Sequence, residues 1–419
     1  MAFPDTGGNK IMSIISLFGG IFCRETSLTN KIVEMTGYKL VRDIDVINEA
    51  SRISGIQANK IERSFFAKAS VFNKFTHEKE RSIAHLKLVL AGKISQNNLV
   101  IEGFSGLLLP RTLNHVLRLC LIADMKSRIA LAMKKDSISE NEAVRIIRKT
   151  DEDRAAWVQG LFNKNDPWDH SIYDVIIPTD KMQDDEIMEL TLKVMKRDAL
   201  LFSGATGKAV KDFELASKIE AALTREGHNV DVTSRDGKIT LTINKNVLML
   251  SRLEEELKNA ASKIQGVKHV ETKVGPGFHQ ADIYRKYDFE MPSKVLLVDD
   301  EREFVQTLSE RLLMRDMGSA VAYDGESALE LIKEDEPEVM ILDLRMPGID
   351  GIEVLKKVKD TQPEIEVIIL TGHGSGEDKE TCMNLGAFAY LQKPVDIDLL
   401  SETIRQANEK IQRGKAENN

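Results

Sequence analysis

Five short apolar runs alternate with amphipathic stretches through the last third of the chain, and this alternation restricts the fold more than any other feature. Strands that are separated by helices lie parallel, and their right-handed crossovers give a doubly wound sheet with its functional edge where the strands end. The predicted strands are 294–298, 320–323, 339–342, 366–370 and 389–391, and the predicted helices are 303–315, 326–333, 351–361, 378–385 and 398–413.

Three carboxylates follow two of these predicted strands. Asp299 and Asp300 come directly after the first strand, and Asp343 comes directly after the third. Because parallel strands end at one edge, we expect the three side chains at one rim, where their charges require a cation. Oxygen ligands on a rim open to water suit Mg²⁺, which keeps several of its waters and can bridge to a phosphoryl oxygen.

Two further polar residues follow the remaining strands of this segment. Thr371 ends the fourth strand, and Lys393 follows the fifth. A hydroxyl group and a fixed positive charge at the same rim can stabilise the oxygens of a phosphoryl group during its transfer. The pattern therefore predicts a phosphoryl-transfer site.

Residues 294–412 resemble the receiver domain of bacterial response regulators. The motifs that carry the likeness are the acidic pair, the run 342–348 (Leu-Asp-Leu-Arg-Met-Pro-Gly), Thr371–Gly372, Tyr390 and Lys393–Pro394. The resemblance implies that Asp343 accepts the phosphoryl group, while Asp299, Asp300 and the backbone carbonyl of Arg345 hold Mg²⁺.

The same resemblance implies roles for the residues of the last two strands. Lys393 would contact the acyl phosphate, and a cis Pro394 would aim the lysine into the site. Thr371 and Tyr390 would form a switch pair, in which the hydroxyl moves toward the phosphate and the ring turns inward. Tyr390 alone is also compatible with a purely packing role.

The first segment, 11–200, mixes short apolar runs with long amphipathic stretches, which predicts a parallel sheet covered by helices. The predicted strands are 12–17, 99–102, 116–122 and 175–177, with helices over 141–148 and 184–198. Gly19 and Gly20 follow the first strand, where a phosphate-binding loop would lie at a helix N-terminus. The lysine of a complete GxxxxGK[ST] motif is absent, and Phe22 lies where the backbone would have to approach a phosphate.

Residues 11–195 resemble the cytidylate-kinase-like family of nucleoside monophosphate kinases. The likeness rests on 16–26, Ile101–Glu102–Gly103, 136–154 and 173–176, but only Phe18, Gly19, Arg24 and Glu25 remain of the glycine-rich loop. The resemblance implies ATP and CMP as ligands and places Arg148 and Arg154 in a mobile lid that closes over the phosphates. These arginines also fit a solvated helix face. The candidate nucleotide-binding residues are Gly19, Gly20, Arg24, Arg148 and Arg154.

The middle segment, 210–275, predicts a small α+β module. A helix over 212–226 precedes strands at 230–234 and 238–243, and a second helix over 251–263 precedes a strand at 267–273. Asp236–Gly237 predicts a hairpin turn between the first two strands. The segment resembles a BON domain, which implies a role in binding partners or membranes or in spacing. It contains no nucleophile, metal cluster or paired carboxylates.

The predicted fold class is α/β, with a P-loop-kinase-like parallel-sheet domain, a small α+β BON-like domain and a doubly wound five-stranded (βα)5 receiver domain. We expect these over 1–205, 206–278 and 293–419, with a linker at 279–292. The 419 residues suffice for several cores, and 42% hydrophobic with 30% charged residues is typical of globular chains.

Net charge, apolar segments and cysteine usage bear on DNA binding, membrane insertion and localisation. A net charge of −8 and the lack of a helix-turn-helix module after the receiver argue against direct DNA binding. The apolar stretch 11–23 is too short and too glycine-broken to cross a bilayer, and three scattered cysteines suggest neither disulfides nor zinc. We therefore expect a cytoplasmic protein without a transmembrane segment.

Three functions compete at this point. The leading one is a response regulator of a two-component phosphorelay, whose partner is a sensor histidine kinase or a phosphotransfer protein and whose N-terminal half senses or scaffolds. The second is an active nucleoside monophosphate kinase regulated by its receiver. The third is a binding scaffold in which the receiver only docks partners. A homodimer is compatible with each of them.

Overall fold

The computed structural model describes residues 13–66, 70–95, 98–245, 247, 249–279, 294–315, 317–372 and 374–417. These residues form two compact units. The first takes its residues from 1–69 and 78–284, and the second from 70–77 and 285–419. The predicted linker 279–292 lies outside the described residues except for His279. No helix in the described part of the chain is long and apolar enough to cross a membrane.

The first unit begins with a five-stranded parallel sheet in the order β2-β3-β1-β4-β5. The chain order is β1 Ile14–Gly19, α1 Glu25–Thr36, β2 Lys39–Arg42, α2 Asp43–Ser54, α3 Ala58–Arg63, α4 Asn73–Thr76 (which belongs to the second unit), α5 Glu78–Ile94, β3 Leu99–Glu102, β4 Val116–Ile122, α6 Met125–Asp136, α7 Glu140–Phe162, β5 Val175–Pro178 and α8 Asp184–Met195.

The sequence predicted four of these five strands. The missed strand, β2, has only four residues and lies at the sheet edge, with only Val41 buried, so it lacks the continuous apolar run of a central strand. Helix α7 is much longer than the predicted 141–148, because its apolar face continues through the buried Trp157 and Val158. Its N-cap is Ser139, which accepts a hydrogen bond from Glu142 N.

The same unit contains the predicted α+β module. Its elements are α9 Gly204–Arg225, β6 Asp231–Arg235, β7 Lys238–Ile243, α10 Leu250–Ser262 and β8 His269–Val274. The hairpin prediction is confirmed, since β6 and β7 are antiparallel around Asp236 and Gly237, both with positive φ. Strand β8 lies parallel to β7. Helix α9 begins eight residues before the predicted start, at the Ser203 N-cap.

The second unit is a doubly wound sheet, as predicted. Its five parallel strands have the order β10-β9-β11-β12-β13, and two buried apolar clusters fill its two faces. The elements are β9 Val295–Val298, α11 Arg302–Leu313, β10 Ser319–Ala322, α12 Gly325–Glu334, β11 Val339–Leu342, α13 Gly351–Thr361, β12 Glu366–Thr371, α14 Gly376–Asn384, β13 Ala389–Gln392 and α15 Ile397–Glu417.

Candidate functional site

The strand register of the second unit brings Asp299 and Asp343 together. Leu342 pairs with Val298, so the next residue of each strand leaves the sheet at the same height. The chain turns to opposite sides after β9 and β11, and such a switch point opens a crevice at the strand ends. Both carboxylates are almost fully buried there, with 4% and 5% of each residue exposed.

Lys393 lies among these carboxylates. Its Nζ is 2.7 Å from Asp299 Oδ2, 3.4 Å from Asp343 Oδ2 and 3.1 Å from Glu301 Oε1. The carboxylate oxygens of Asp299, Glu301 and Asp343 come within 4.8 Å of one another. The pattern of strand ends missed Glu301, although its place in the acidic run 299–301 was a usable signal.

Burial and charge act in opposite directions at this cluster. Burial raises the pKa of Asp299 above its ordinary value, although hydrogen bonds from Lys393 and from Glu301 N partly offset the effect. Burial opposes the positive charge of Lys393, but Asp299, Glu301 and Asp343 together outweigh it and raise the lysine pKa. The lysine is therefore held as a cation by the carboxylates around it.

Asp300 lies outside this group of carboxylates, and the side chain of Arg345, whose backbone carbonyl is the predicted ligand, has a partner of its own. Asp300 is half-buried and is not among the carboxylates that approach within 4.8 Å. The Arg345 side chain is exposed, with its guanidinium 3.5 Å from Asp378.

The predicted switch residues lie side by side. Thr371 is fully buried at the end of β12, and a Cβ added at Gly374 would overlap the Tyr390 hydroxyl and approach Thr371 Cγ2 to 3.0 Å. The Tyr390 hydroxyl is buried, and none of the described residues hydrogen bonds with it. The peptide bond between Lys393 and Pro394 is cis, as predicted.

In the first unit, Gly19 and Gly20 open the loop after the central strand β1. A Cβ at Gly19 would clash with the Leu121 carbonyl of β4, so close strand packing already requires this glycine. A Cβ at Gly20 would approach the Arg128 guanidinium to 3.0 Å. Both glycines therefore face protein atoms in this loop.

The loop is closed by its own carboxylate. Glu25 Oε2 accepts a hydrogen bond from Cys23 N at 3.0 Å, in the place where an anion would bind at a helix N-terminus. Arg24 points away, toward the carbonyl oxygens of Thr179 and Met182 and the carboxylate of Asp184. The candidate ligand Arg24 thus serves to tie the loop to α8 and the segment before it.

The structure separates the two predicted lid arginines. Arg154 donates through Nε to Gly19 O and lies 5.3 Å from the Phe104 ring centre, whereas Arg148 is exposed on the same helix. Six residues of an α-helix turn about 240°, so the two side chains cannot share a face. Arg128, which the sequence patterns missed, binds the loop at Ile21 O and forms a two-bond ion pair with Asp151.

Phe22 fixes the loop against the helices that carry these arginines. It has a φ of 59°, a conformation that is costly for a residue with a bulky side chain. Its ring belongs to a buried cluster with Ala132 of α6 and with Ala143 and Ile147 of α7. Beside the loop, a cavity of about 380 Å³ is lined in part by Glu25, Asp43, Glu62, Glu102, Arg42 and Arg154.

Comparison with known proteins matches two families. Residues 295–405 match the response regulator receiver domain, and residues 14–181 match the cytidylate kinase-like family. Sporulation initiation phosphotransferase F of Bacillus subtilis is 33% identical over 116 residues, which are 28% of this chain and 94% of that protein. The chain thus belongs to the receiver-domain family. In particular, it joins that domain to a cytidylate kinase-like segment.

A second relative and a solved structure match the same region. Response regulator MprA of Mycolicibacterium vanbaalenii is 33% identical over 115 residues, which are 27% of this chain and 50% of that protein. A receiver domain protein structure from Clostridium thermocellum is 34% identical with a TM-score of 0.27, over 28% of this chain and 94% of that one. The chain thus spans half the length of MprA. The two sequence relatives and the receiver-domain match support a two-component response regulator.

Proposed function

We propose that the chain is a response regulator of a two-component phosphorelay and that Asp343 is its phosphoacceptor. The observation that carries the proposal is the buried Asp343 carboxylate at the switch point of the sheet, 3.4 Å from the Lys393 ammonium. The donor is a partner histidine kinase or a phosphotransfer protein. Each of these carries its phosphoryl group on an imidazole nitrogen.

The two oxygens of Asp343 differ in their surroundings. Oδ1 accepts a hydrogen bond from Leu344 N at 2.7 Å, while Oδ2 faces Lys393. In the proposed step, Oδ2 forms a bond to phosphorus as the phosphorus–nitrogen bond of the donor breaks, and the imidazole leaves with the electron pair. Lys393 then lies beside the oxygens of the acyl phosphate and stabilises their charge.

The donor set of this site fits Mg²⁺. Asp299 and Asp343 offer carboxylate oxygens at one rim, and Asp300 and the Arg345 carbonyl follow the same two strands. When bound, the ion would offset the negative charge of the phosphoryl oxygens. The exposed Glu301 is an added ligand candidate in this chain. Until phosphorylation, Lys393 supplies part of the neutralising charge.

Thr371 and Tyr390 are the proposed switch pair. Once Asp343 carries a phosphoryl group, the Thr371 hydroxyl can donate to one of its oxygens, which changes the space beside the Tyr390 ring. The ring lies against Gly374, so a shift at Thr371 is passed to the loop before α14. We propose that this change signals to the N-terminal half.

Labelling with acetyl phosphate tests the phosphoacceptor. With Mg²⁺ present, intact-mass spectrometry of the full chain should show a gain of one phosphoryl group, which Asp343→Asn abolishes. The matched control is Asp360→Asn, an exposed carboxylate on α13, which should label like the wild type. Labelling that survives Asp343→Asn would instead favour a scaffold whose receiver only docks partners.

For the cytidylate kinase-like segment we propose a sensing or scaffolding role without rapid turnover. The Glu25 carboxylate accepts the Cys23 N–H bond that a bound anion would otherwise accept, and Asp151 neutralises Arg128. Phe22 and its cluster hold α6 and α7 against the loop, although a working lid must open and close. Four acidic and two basic side chains line the neighbouring cavity, which disfavours phosphate groups.

The alternative is an active nucleoside monophosphate kinase that uses ATP and CMP and is regulated by the receiver, and the family match over residues 14–181 favours it. Phosphate transfer from ATP to CMP by the full chain decides between the two. We expect slow or no turnover. Brisk turnover that Arg154→Ala abolishes and Arg145→Ala, an exposed control on the same helix, preserves would establish the kinase instead.

A further variant asks whether the loop alone prevents nucleotide binding. Glu25→Gln keeps the side-chain shape but removes the negative charge beside Cys23 N. We expect this variant to bind ATP more tightly than the wild type, measured by calorimetry, because the loop N–H groups then meet an anion without charge repulsion. Equal affinities would show that this carboxylate does not exclude the ligand.

For the middle module we propose a BON-like interaction or spacer role. Its three-stranded sheet and two helices have the order that the sequence predicted, and α9 is joined to α5 by the ion pair of Lys87 with Glu220 at 2.9 Å. In this proposal the module binds a partner or another copy of the chain. Light scattering of the full chain would test for a homodimer.

A further inference from the structure

The short segment Ser70–His77 packs with residues that follow it by more than two hundred positions. In the sequence it lies inside the stretch matched to the cytidylate kinase-like family, yet it belongs to the second compact unit. Phe72 in this segment has no exposed surface and is part of the buried cluster that includes Leu296, Ile332 and Met340. The segment therefore contributes a core side chain to the receiver fold.

Polar contacts fix the segment beside this aromatic ring. Val71 N donates to Asp335 Oδ2 at 2.9 Å, and Lys294 Nζ lies 5.9 Å from the centre of the Phe72 ring. Lys294 and Asp335 are themselves 3.6 Å apart, with side chains only 6% and 7% exposed. Buried charges need hydrogen bonds and opposite charges nearby, and the segment supplies one of those bonds through its backbone.

The contact between the segment and Asp335 lies at the edge of the sheet opposite to the proposed phosphoacceptor. Lys294 immediately precedes β9, and Asp335 follows α12 shortly before β11 begins. Both residues are thus at the edge where the parallel strands start, whereas Asp343 and Lys393 follow the ends of their strands. Neither Lys294 nor the segment is within residues 295–405, which match the receiver domain. The segment is an addition to that domain, and it leaves the phosphoacceptor edge open.

We propose that Ser70–His77 is an intramolecular ligand of the receiver fold, held at the amino edge of its sheet by Phe72 and by the hydrogen bond from Val71 N to Asp335. The Phe72 ring fills a site in the receiver core, and the Asp335 carboxylate accepts a hydrogen bond from the backbone of the segment. A partner protein that used this surface would first have to displace the segment. The phosphoacceptor and this docking surface can be occupied at the same time.

Substitution of Phe72 in the full chain tests the proposal. Phe72→Ala removes the ring, while Val71→Ala is the matched control, because the Val71 side chain is 45% exposed and its N–H remains. Thermal unfolding measures the melting temperature of each variant. Hydrogen exchange with mass spectrometry then reports on the two units separately, because each peptide belongs to one of them. Phe72→Leu, which keeps an apolar side chain, serves if Phe72→Ala fails to fold.

We expect Phe72→Ala to lower the melting temperature of the receiver transition by on the order of 10 °C. Exchange in peptides covering β9, β11 and the end of α12 should rise about tenfold or more, while β3 and β4 stay protected. Phe72→Leu should give a smaller change of the same kind. Acetyl phosphate should still label Asp343 in the folded variants. If Phe72 variants match Val71→Ala, or if exchange rises only in the first unit, the proposal is wrong.

Discussion

Lys393→Met offers the sharpest test of the electrostatics at the candidate phosphoacceptor site. The change keeps most of the side-chain length but removes the ammonium, which lies 2.7 Å from Asp299 and 3.4 Å from Asp343. The lysine side chain is 11% exposed and those of the two aspartates are each 6% exposed. Removing one partner of a buried ion pair leaves the other charges without compensation.

The expected loss follows from this burial. Breaking a buried pair typically costs about 3 to 5 kcal/mol, and the lower end applies here because the rim borders water. Glu301 adds little, since its side chain is 65% exposed. A loss of about 3 kcal/mol should lower the melting temperature of a unit of this size by roughly 10 °C. Lys357→Met, which breaks the exposed pair with Glu353, is the control and should cost less than about 0.5 kcal/mol.

The stability lost in Lys393→Met should depend on pH, and the pKa of Asp299 determines the direction of this dependence. Burial already raises the folded pKa of Asp299 above its ordinary value, and loss of Lys393 should raise it further. A carboxyl group with a raised folded pKa is favoured in its protonated form, so its stabilising contribution is present at low pH and is lost as pH rises through that pKa. The difference between variant and wild type should therefore be small near about pH 4 and largest at neutral pH.

Thermal melts across this pH range, with and without Mg²⁺, measure the effect. At neutral pH, Mg²⁺ should stabilise Lys393→Met more than it stabilises the wild type, because a divalent cation between the same carboxylates replaces the lost positive charge. A deficit that is equal at all pH values and insensitive to Mg²⁺ would refute the reasoning. It would show that the lysine acts through packing, not through its charge.

Two further predictions concern buried polar groups. Burial lowers the pKa of His115 to about 4, so the neutral ring stabilises the fold fully above about pH 6.5 and this contribution falls as pH drops toward about 4. His115→Leu should therefore remove about 3 kcal/mol from the acid-induced loss of stability, measured by urea titration at several pH values; an unchanged pH profile would contradict this. Tyr390→Phe deletes a buried hydroxyl that no described residue hydrogen bonds, so the melting temperature should stay equal or rise, and a fall of several degrees would reveal a partner for that hydroxyl.

The fold of the receiver half and the meeting of its candidate site residues could be predicted from sequence, because those residues directly follow strand ends. Asp343 and Lys393 each follow an apolar strand by one residue, and parallel pairing brings such residues to one edge. The rule of strand ends missed Glu301 because this residue lies two positions beyond Asp299, in the loop before α11, although the acidic run 299–301 was a usable signal. Its position depends on local hydrogen bonds such as the one from Glu301 N to Asp299. The contribution of Phe72 escaped as well, since nothing local in a short apolar run tells which distant core it enters.

The N-terminal loop shows why a degraded motif is harder to interpret than an intact one. Gly19 survives, but close packing on Leu121 explains it without any ligand. Arg24 survives, but its guanidinium is bound by Thr179, Met182 and Asp184. A residue that matches a motif can supply a backbone geometry or a charge that the fold itself uses, whether or not a ligand binds there. The contacts of each residue distinguish a structural role from ligand binding. Gly19 and Arg24 both contact protein atoms.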